Sequence, residues 1–402
     1  MRRPARETEG GLHLNSKMNR AWAEINLDNI AYNVRQVKRR IGKMTEVMAV
    51  VKADAYGHGV IETVPTLLEN GVSRLAVSML DEAIQLRELG IKVPILVLNY
   101  TDPVRAEEII KYNITQTVFS HDLPRALSKA AIKMGKEARI HIKIDTGMTR
   151  VGFKPGYEAV KDVVEIYRLP GIVIEGLFSH FSSADEDEPG FTMMQYERFE
   201  SIVNELNRIG IIIPVKHIAN SAAVMRYPNL DLQMVRPGII LYGLYPSDQL
   251  KKTAIDLKPA MELKANVILV KDVEANVPVS YGRTYVTKRK TTIATLPIGY
   301  ADGYSRLLSN RGRVLINGEY APIIGTVCMD QCMVDVTDIK HAVRTGDEAV
   351  LIGSQGGNSI TVDEIASLTN TINYEVVCLI GKRIPRVYIK GGEVVKVVNY
   401  LI

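Results

Sequence analysis

The sequence predicts an α/β chain, a (β/α)8 TIM-type barrel followed by a mostly-β C-terminal domain. Eight short apolar runs alternate with amphipathic segments, at spacings of roughly 20–40 residues, as far as about Tyr245. Beyond Tyr245 the helical periodicity fades, and short strand-like runs separated by turn residues replace it. No G-x-G-x-x-G follows the first run, so the competing doubly wound open sheet lacks its usual signature.

The elements follow in chain order. Residues 1–19, "MRRPARETEGGLHLNSKMN", are polar, with a proline and paired glycines; they read as a loose tail without the apolar core of a secretory signal, and Met18 is a possible natural start. The barrel is expected over 20–255. Its strand runs are "EVMAVV" ending at Val51, "RLAVS" at Ser78, "PILVL" at Leu98, "QTVFS" at Ser120, "RIHIKI" at Ile144, "VIEGLFS" at Ser179, "PVKHIA" at Ala219 and "LQMV" at Val235. The segments "VIETVPTLLENG", "LDEAIQLRELG" and "QYERFESIVNELNRIG" between them carry the apolar stripe of a helix packed on a sheet. Eight such units imply a closed parallel barrel. The β domain is expected over 256–402, where "MELKANVILVKDV", "TTIATLPIG", "RVLINGEYAPIIG", "CMVDVTD" and "DEAVLIG" read as strands. Asn317-Gly318 between two apolar arms is the strongest hairpin signal. One helix is expected there, "TVDEIASLTN", with Thr361 as cap and Glu364 at the capping-box position.

Composition excludes several classes of function. The 402 residues are 46% hydrophobic and 24% charged with net charge +5, and no run of like charges marks a nucleic-acid surface. No apolar run approaches the ~18 residues that span a bilayer. Three cysteines, Cys328, Cys332 and Cys378, form an odd, sparse set with no histidine at ligand spacing to the first two, so zinc is not expected. A reduced, cytoplasmic chain is the expectation.

In "VMAVVKADAYGHGV" a β-branched run ends on Lys52 and passes into small residues and glycines. Barrels place their active sites at the carboxyl ends of the strands, and Lys52 ends the first. The other ends supply Arg150, His180, Asn220-Ser221 and Arg236-Pro237-Gly238. Ser221 and Gly238 follow the seventh and eighth strands, where barrels commonly bind phosphate. A phosphate site opposite a lysine suggests a phosphorylated aldehyde held as a Schiff base, and pyridoxal 5′-phosphate fits.

These motifs resemble the alanine racemase family over about Arg20 to Tyr388. "AVVKADAYGHG" is similar to its lysine motif, "HIANSAA" and "MVRPGIILYGL" to its phosphate and ring-nitrogen segments, and "VSYGRTY", "LPIGYADGYSR" and "GTVCMDQCMVD" to its second-domain motifs. The resemblance implies interconversion of L- and D-alanine for peptidoglycan by two bases, Lys52 on one face of the substrate and Tyr281 on the other. It gives Arg236 the pyridine nitrogen and places His180 in a hydrogen-bond chain, with His217 behind it. Tyr56, Tyr388, Ser221, Gly238 and Ile239 fall at phosphate positions, Arg150 and Met329 at the substrate carboxylate, and Tyr300, Arg306 and Asp185 at the entrance. It also implies a homodimer in which Tyr281 serves the partner's barrel. In "RIHIKID", alternation puts His141, Lys143 and Asp145 on one face; the resemblance implies a carbamylated Lys143, and a plain Lys143–Asp145 pair is the alternative. The competing readings are a serine or broader small-amino-acid racemase and a same-fold decarboxylase. Arg236 opposes the decarboxylase, because a guanidinium offers only donors and no acid to protonate the ring.

Overall fold

The computed structural model describes residues 20–252 and 255–402; the expected tail lies outside them. The described chain divides into two units. One comprises Ile30–Ala55 and Val60–Lys258, the other Pro259–Ile402 with the residues through Asn29 and the segment Tyr56–Gly59.

Strand β1 (Ala21–Asn26) belongs to the second unit. The first unit holds β2 (Glu46–Val50), β3 (Arg74–Val77), β4 (Ile95–Val97), β5 (Thr115–Val118), β6 (Ala138–Lys143), β7 (Ile172–Phe178), β8 (Val215–His217) and β9 (Met234–Val235). They pair in parallel in the order β8-β7-β6-β5-β4-β3-β2-β9. A bridge between Asn220 and Arg236, with Arg236 N–H donating to Ala219 O at 2.9 Å, draws the ends together just beyond β8 and β9. The result is a nearly closed eight-stranded barrel, and each strand falls on one of the eight apolar runs. Several of the runs, such as those of β2, β3 and β4, are continuously apolar because parallel strands under helices are buried on both faces. Met48, Ala49, Leu75, Ala76, Ile95 and Ile140 are all buried to within 1%. Each large apolar side chain so buried contributes about 1.5–3 kcal/mol. Helices Val60–Glu69, Leu80–Glu88, Asp122–Met134 and Gly190–Arg208 lie on the amphipathic segments.

The second unit is built on β10 (Met261–Asn266), β11 (Leu269–Val273), β12 (Pro278–Val279), β13 (Tyr285–Val286), β14 (Thr291–Leu296), β15 (Arg313–Ile316), β16 (Glu319–Pro322), β17 (Cys332–Asp335), β18 (Glu348–Gln355), β19 (Asn358–Ile360), β20 (Arg386–Lys390) and β21 (Glu393–Val398). Its main sheet runs β16-β15-β18-β10-β1-β20-β21, and β11-β14-β17 form a smaller one. The expected barrel start at residue 20 thus meets a strand of the other unit: β1 is central there, antiparallel to β10 and parallel to β20. Ala21, Ala23 and Ile25 are buried on one face of β1 and Trp22 on the other, and Arg20 grips the fully buried Asp302 through its Nη1 and Nη2 at 3.0 and 2.8 Å.

Ile316 pairs with Glu319 around Asn317 (φ 52°) and Gly318 (φ 79°), the two positive φ angles of a type I′ hairpin. Thr361 caps Val362–Leu368 by accepting from Glu364 N, but the Glu364 carboxylate goes to Arg313 instead of closing the box. A second helix, Asn373–Leu379, accompanies the one expected. No helix among the described residues is long and apolar enough to cross a membrane.

Candidate active site

Lys52 begins a left-handed turn. Ala53, Asp54, Ala55 and Tyr56 have φ of 52, 54, 54 and 53°. The left-handed helix costs an L-residue about 1–2 kcal/mol, so four in succession need support. Glu82 supplies part of it: one carboxylate oxygen accepts from Ala53 N at 2.6 Å, the other from Ser78 N and Met79 N at 2.7 and 3.1 Å. Asp54 accepts from Val60 N at 2.9 Å and ties the far side of the turn. Such strain gathers where a side chain must be presented rigidly, and here it follows the strand-end lysine.

Inside the barrel, Arg236 is buried to 3%. Its Nη1 donates to His217 Nδ1 at 2.7 Å; its Nη2 donates to Ser179 O at 2.7 Å, His180 Nδ1 at 3.1 Å and Ile218 O at 3.2 Å. Burial, with Arg150 nearby, pushes its pKa down to about 9, still well above neutrality. Phe178 stacks on His217 with ring centroids 4.7 Å apart and lies 5.1 Å from Lys143 Nζ and 5.2 Å from the Arg236 guanidinium. Burial first, then Arg236, hold the His180 and His217 pKa values well below the usual histidine range.

Lys143 is 5% exposed, and its Nζ donates to Ile144 O at 3.2 Å. Burial, Arg236 and Arg150 drive its pKa well below that of an ordinary lysine. Among the described residues no ion pair within 4 Å joins Lys143 and Asp145, though each charge favours the other; the Asp145 carboxylate accepts from the backbone N–H groups of Gly147, Thr149 and Arg150. Arg150 is exposed on that turn.

Beyond β8, Asn220 caps the short helix Ser221–Arg226, and Ser221 Oγ accepts from Gly238 N at 2.9 Å. Gly238 in turn precedes the 3₁₀ turn Ile239–Tyr242. Ser221, Gly238 and Ile239, read from separate motifs, thus come together as hydroxyl and backbone donors. Asp185 is half-buried in the loop after β7.

In the second unit, the segment Tyr56–Gly59 packs with β20. Arg386 donates to Gly57 O at 3.0 Å, and a Cβ on Gly59 would fall 1.9 Å from Tyr388 Oη, so only glycine admits that hydroxyl. Tyr56 is buried with its ring centroid 6.2 Å from that of Tyr374, and burial raises its pKa, keeping the phenol a donor. The two tyrosines read as phosphate donors therefore share one unit. Tyr281 is 69% exposed, its carbonyl anchored by Thr326 Oγ1 at 2.9 Å. Met329 is 51% exposed, and Tyr300 and Arg306 are exposed as well.

Glu82, Phe178 and Arg386 escaped the sequence reading. Glu82 lies in an ordinary amphipathic helix and Phe178 in an ordinary apolar run, so neither signals its partner; "RIPRVY" drew attention to Tyr388, not to Arg386 two residues before it.

Pyridoxal phosphate suits these donors. Both Arg236 Nη atoms are engaged while Nε bonds to no acceptor among the described residues, which leaves a donor for a ring nitrogen. Within the barrel unit, the Ser221 hydroxyl at the start of its helix is a donor of the kind a phosphate takes.

Comparison with known proteins agrees with the geometry. Residues 25–246 match the family model for the alanine racemase N-terminal domain and residues 260–388 that for the C-terminal domain. Alanine racemase 1 of Clostridium acetobutylicum is 52% identical over 380 residues, covering 94% of this chain and 98% of that protein. The solved alanine racemase of Clostridium difficile 630 superposes with a TM-score of 0.92 at 43% identity, covering 96% of this chain and all of that one. A histidine racemase from Leuconostoc mesenteroides superposes at 0.86 with 30% identity, covering 93% and 99%. A nearly closed barrel with a strand-end lysine, a buried arginine held between two histidines and a following β unit, matched along both halves, places this chain in the alanine racemase family.

Proposed function

We propose that this chain interconverts L- and D-alanine in the cytoplasm, with pyridoxal phosphate on Lys52, and supplies D-alanine for peptidoglycan. The observation that carries the reading is Arg236: a charged guanidinium, buried and tied at both Nη atoms, has only donors for a ring nitrogen. A same-fold decarboxylase would need an acid there. When bound, the cofactor supplies an electron sink that makes the α-proton of an amino acid acidic. The protein's own residues do the rest. Lys52 holds the cofactor and carries the proton at Nζ on one face. Tyr281, presented on the surface of the second unit, carries it at Oη on the other face of the partner subunit's site, so the active species is a homodimer. Arg150 and the Met329 N–H hold the substrate carboxylate, Tyr56 and Tyr388 join the phosphate donors, and Tyr300, Arg306 and Asp185 line the approach.

Lys143 is carbamylated in this reading. The supporting observation is its lowered pKa beside two arginines: a neutral amine adds carbon dioxide, releases a proton, and becomes an anion that steadies Arg150. Mass measurement of native protein in bicarbonate, showing the 143 side chain unmodified, would remove this element.

The test of function is D-alanine formation from L-alanine by purified protein, with L-serine and L-histidine in parallel. The histidine racemase that shares the scaffold makes substrate breadth the second reading. Borohydride reduction followed by peptide mapping should place the cofactor on Lys52; its recovery on another lysine would refute the assignment.

A further inference from the structure

A line of side chains crosses the barrel interior behind Arg236, hydrogen-bonded from Arg236 through His217 to His141 and closing on Glu175 at ion-pair distance. It starts at the amino-terminal ends of β2 and β3, where Arg74 donates to Glu46 at 2.8 Å and to Glu175 at 2.7 Å. Glu175 Oε2 lies 3.5 Å from His141 Nε2, His141 Nδ1 lies 2.8 Å from His217 Nε2, and His217 Nδ1 receives Arg236. We propose that Glu175 and His141 are positioning residues: they fix the tautomer of His217 and so hold the Arg236 guanidinium in one orientation toward the ring nitrogen. The inference rests on the reading of Arg236 as the partner of that nitrogen.

The ends of the line dictate its proton order. A guanidinium only donates, so His217 Nδ1 must accept and its proton must be on Nε2. His217 Nε2–H then donates to His141 Nδ1, which leaves the His141 proton on Nε2, facing Glu175. An ionised carboxylate only accepts, and Glu175 is held ionised by His141 and Arg74, which bring its pKa down to about 2. By the same logic His180, receiving Arg236 at Nδ1, keeps its proton on Nε2. Both histidines of the line are fully buried, and burial favours their neutral forms. The donor-only guanidinium sets the proton order, and the ionised Glu175, 3.5 Å away, is the acceptor that the last His141 proton faces.

Two backbone features serve this line and have no role in a plain barrel strand. Pairing of β6 with β7 passes from Ile140–Ile174 to His141–Gly176, so Glu175 is the extra residue of a β-bulge, the device that re-aims a side chain. Gly176 next to it leaves room for the histidine: a Cβ there would fall 2.4 Å from His141 Nδ1 and 2.5 Å from Cε1. A bulge for the carboxylate and a glycine for the ring are what an accurate line of donors and acceptors requires.

The test uses full-length protein with 15N-labelled histidine, without and with pyridoxal phosphate. Long-range proton–nitrogen NMR should show His141, His180 and His217 neutral with the proton on Nε2 in both states. A proton on His217 Nδ1, or a doubly protonated His217, overturns the proposal. Gly176→Ala disturbs the line without removing a charge; it should abolish the single tautomer of His217 and weaken pyridoxal phosphate binding at least about tenfold, as loss of a supporting hydrogen bond commonly does. Should that variant fail to fold, Glu175→Gln and Glu175→Leu decide. Glutamine keeps an acceptor and should retain the native tautomers; leucine leaves the His141 Nε2 proton facing no acceptor and should lose the single tautomer of His141, with a fall in pyridoxal phosphate affinity. Native tautomers in Glu175→Leu refute the line. Altered tautomers with unchanged cofactor affinity refute instead the pairing of Arg236 with the ring nitrogen, so the two readings fail separately.

Discussion

Replacing Arg386 by lysine tests how the segment carrying Tyr56 is held. Arg386 is 2% exposed and donates to four carbonyls: Gly57 O at 3.0 Å, Gly381 O at 2.7 Å, Ile384 O at 2.5 Å and Ile380 O at 2.6 Å. An ammonium has three donors on one nitrogen and cannot span carbonyls arrayed around a planar fork. At least two of the four bonds should be lost, and hydrogen bonds to charged groups contribute about 1.5–3 kcal/mol each. The expected destabilisation is about 3–6 kcal/mol, a large share of the ~5–15 kcal/mol that folded domains possess. The assay is convenient because the single tryptophan, Trp22, is buried in the same unit. Urea unfolding followed by its fluorescence should show the midpoint falling by about 1 M or more. Pyridoxal phosphate affinity should fall with it, because Gly57 adjoins Tyr56. Arg289→Lys, at the exposed pair with Asp338, is the matched control and should leave the midpoint in place. An unchanged midpoint in Arg386→Lys would show that the four contacts do not hold the segment.

Lys52→Ala should abolish both racemisation and the borohydride-stable adduct, and heterodimers of Lys52→Ala with Tyr281→Ala chains should recover activity in one composite site; verified heterodimers without activity exclude a shared site. Stability should decline as pH falls below about 6.5, the unfolded histidine pKa, because His141, His180 and His217 are held neutral in the fold and the unfolded chain binds protons first; a barrel equally stable at pH 7 and pH 5 contradicts this. Gly318→Ala, at φ 79° with its Cβ 3.0 Å from Gly356 Cα, should cost about 1–2 kcal/mol in thermal unfolding. Arg236→Glu should slow racemisation by more than about tenfold and release pyruvate from alanine, measured by a coupled dehydrogenase assay; an unaltered rate without pyruvate removes Arg236 from control of the ring.

The sequence by itself determined what depends on near neighbours. Eight short apolar-rich runs between amphipathic segments marked eight parallel strands because strands covered by helices bury most of their side chains. Asn317-Gly318 marked its hairpin because two consecutive positive φ angles suit those residues. The placement of Lys52, Ser221, Gly238 and Arg236 just past strand ends was legible because the apolar runs stop there. Tertiary structure decided what depends on distant partners. Strand β1 reads like any short strand, and only its pairing with β10 and β20, more than two hundred residues away, takes it out of the barrel. Glu364 was expected to close a cap, and an arginine 51 residues earlier won it. The Glu175 bulge and the left-handed turn after Lys52 are backbone states that no side-chain pattern encodes, because surrounding contacts supply the energy that holds them. Glu82, His141 and Arg386 acquire their roles the same way: a residue's type states what it can donate or accept, and only the fold brings the group that answers it.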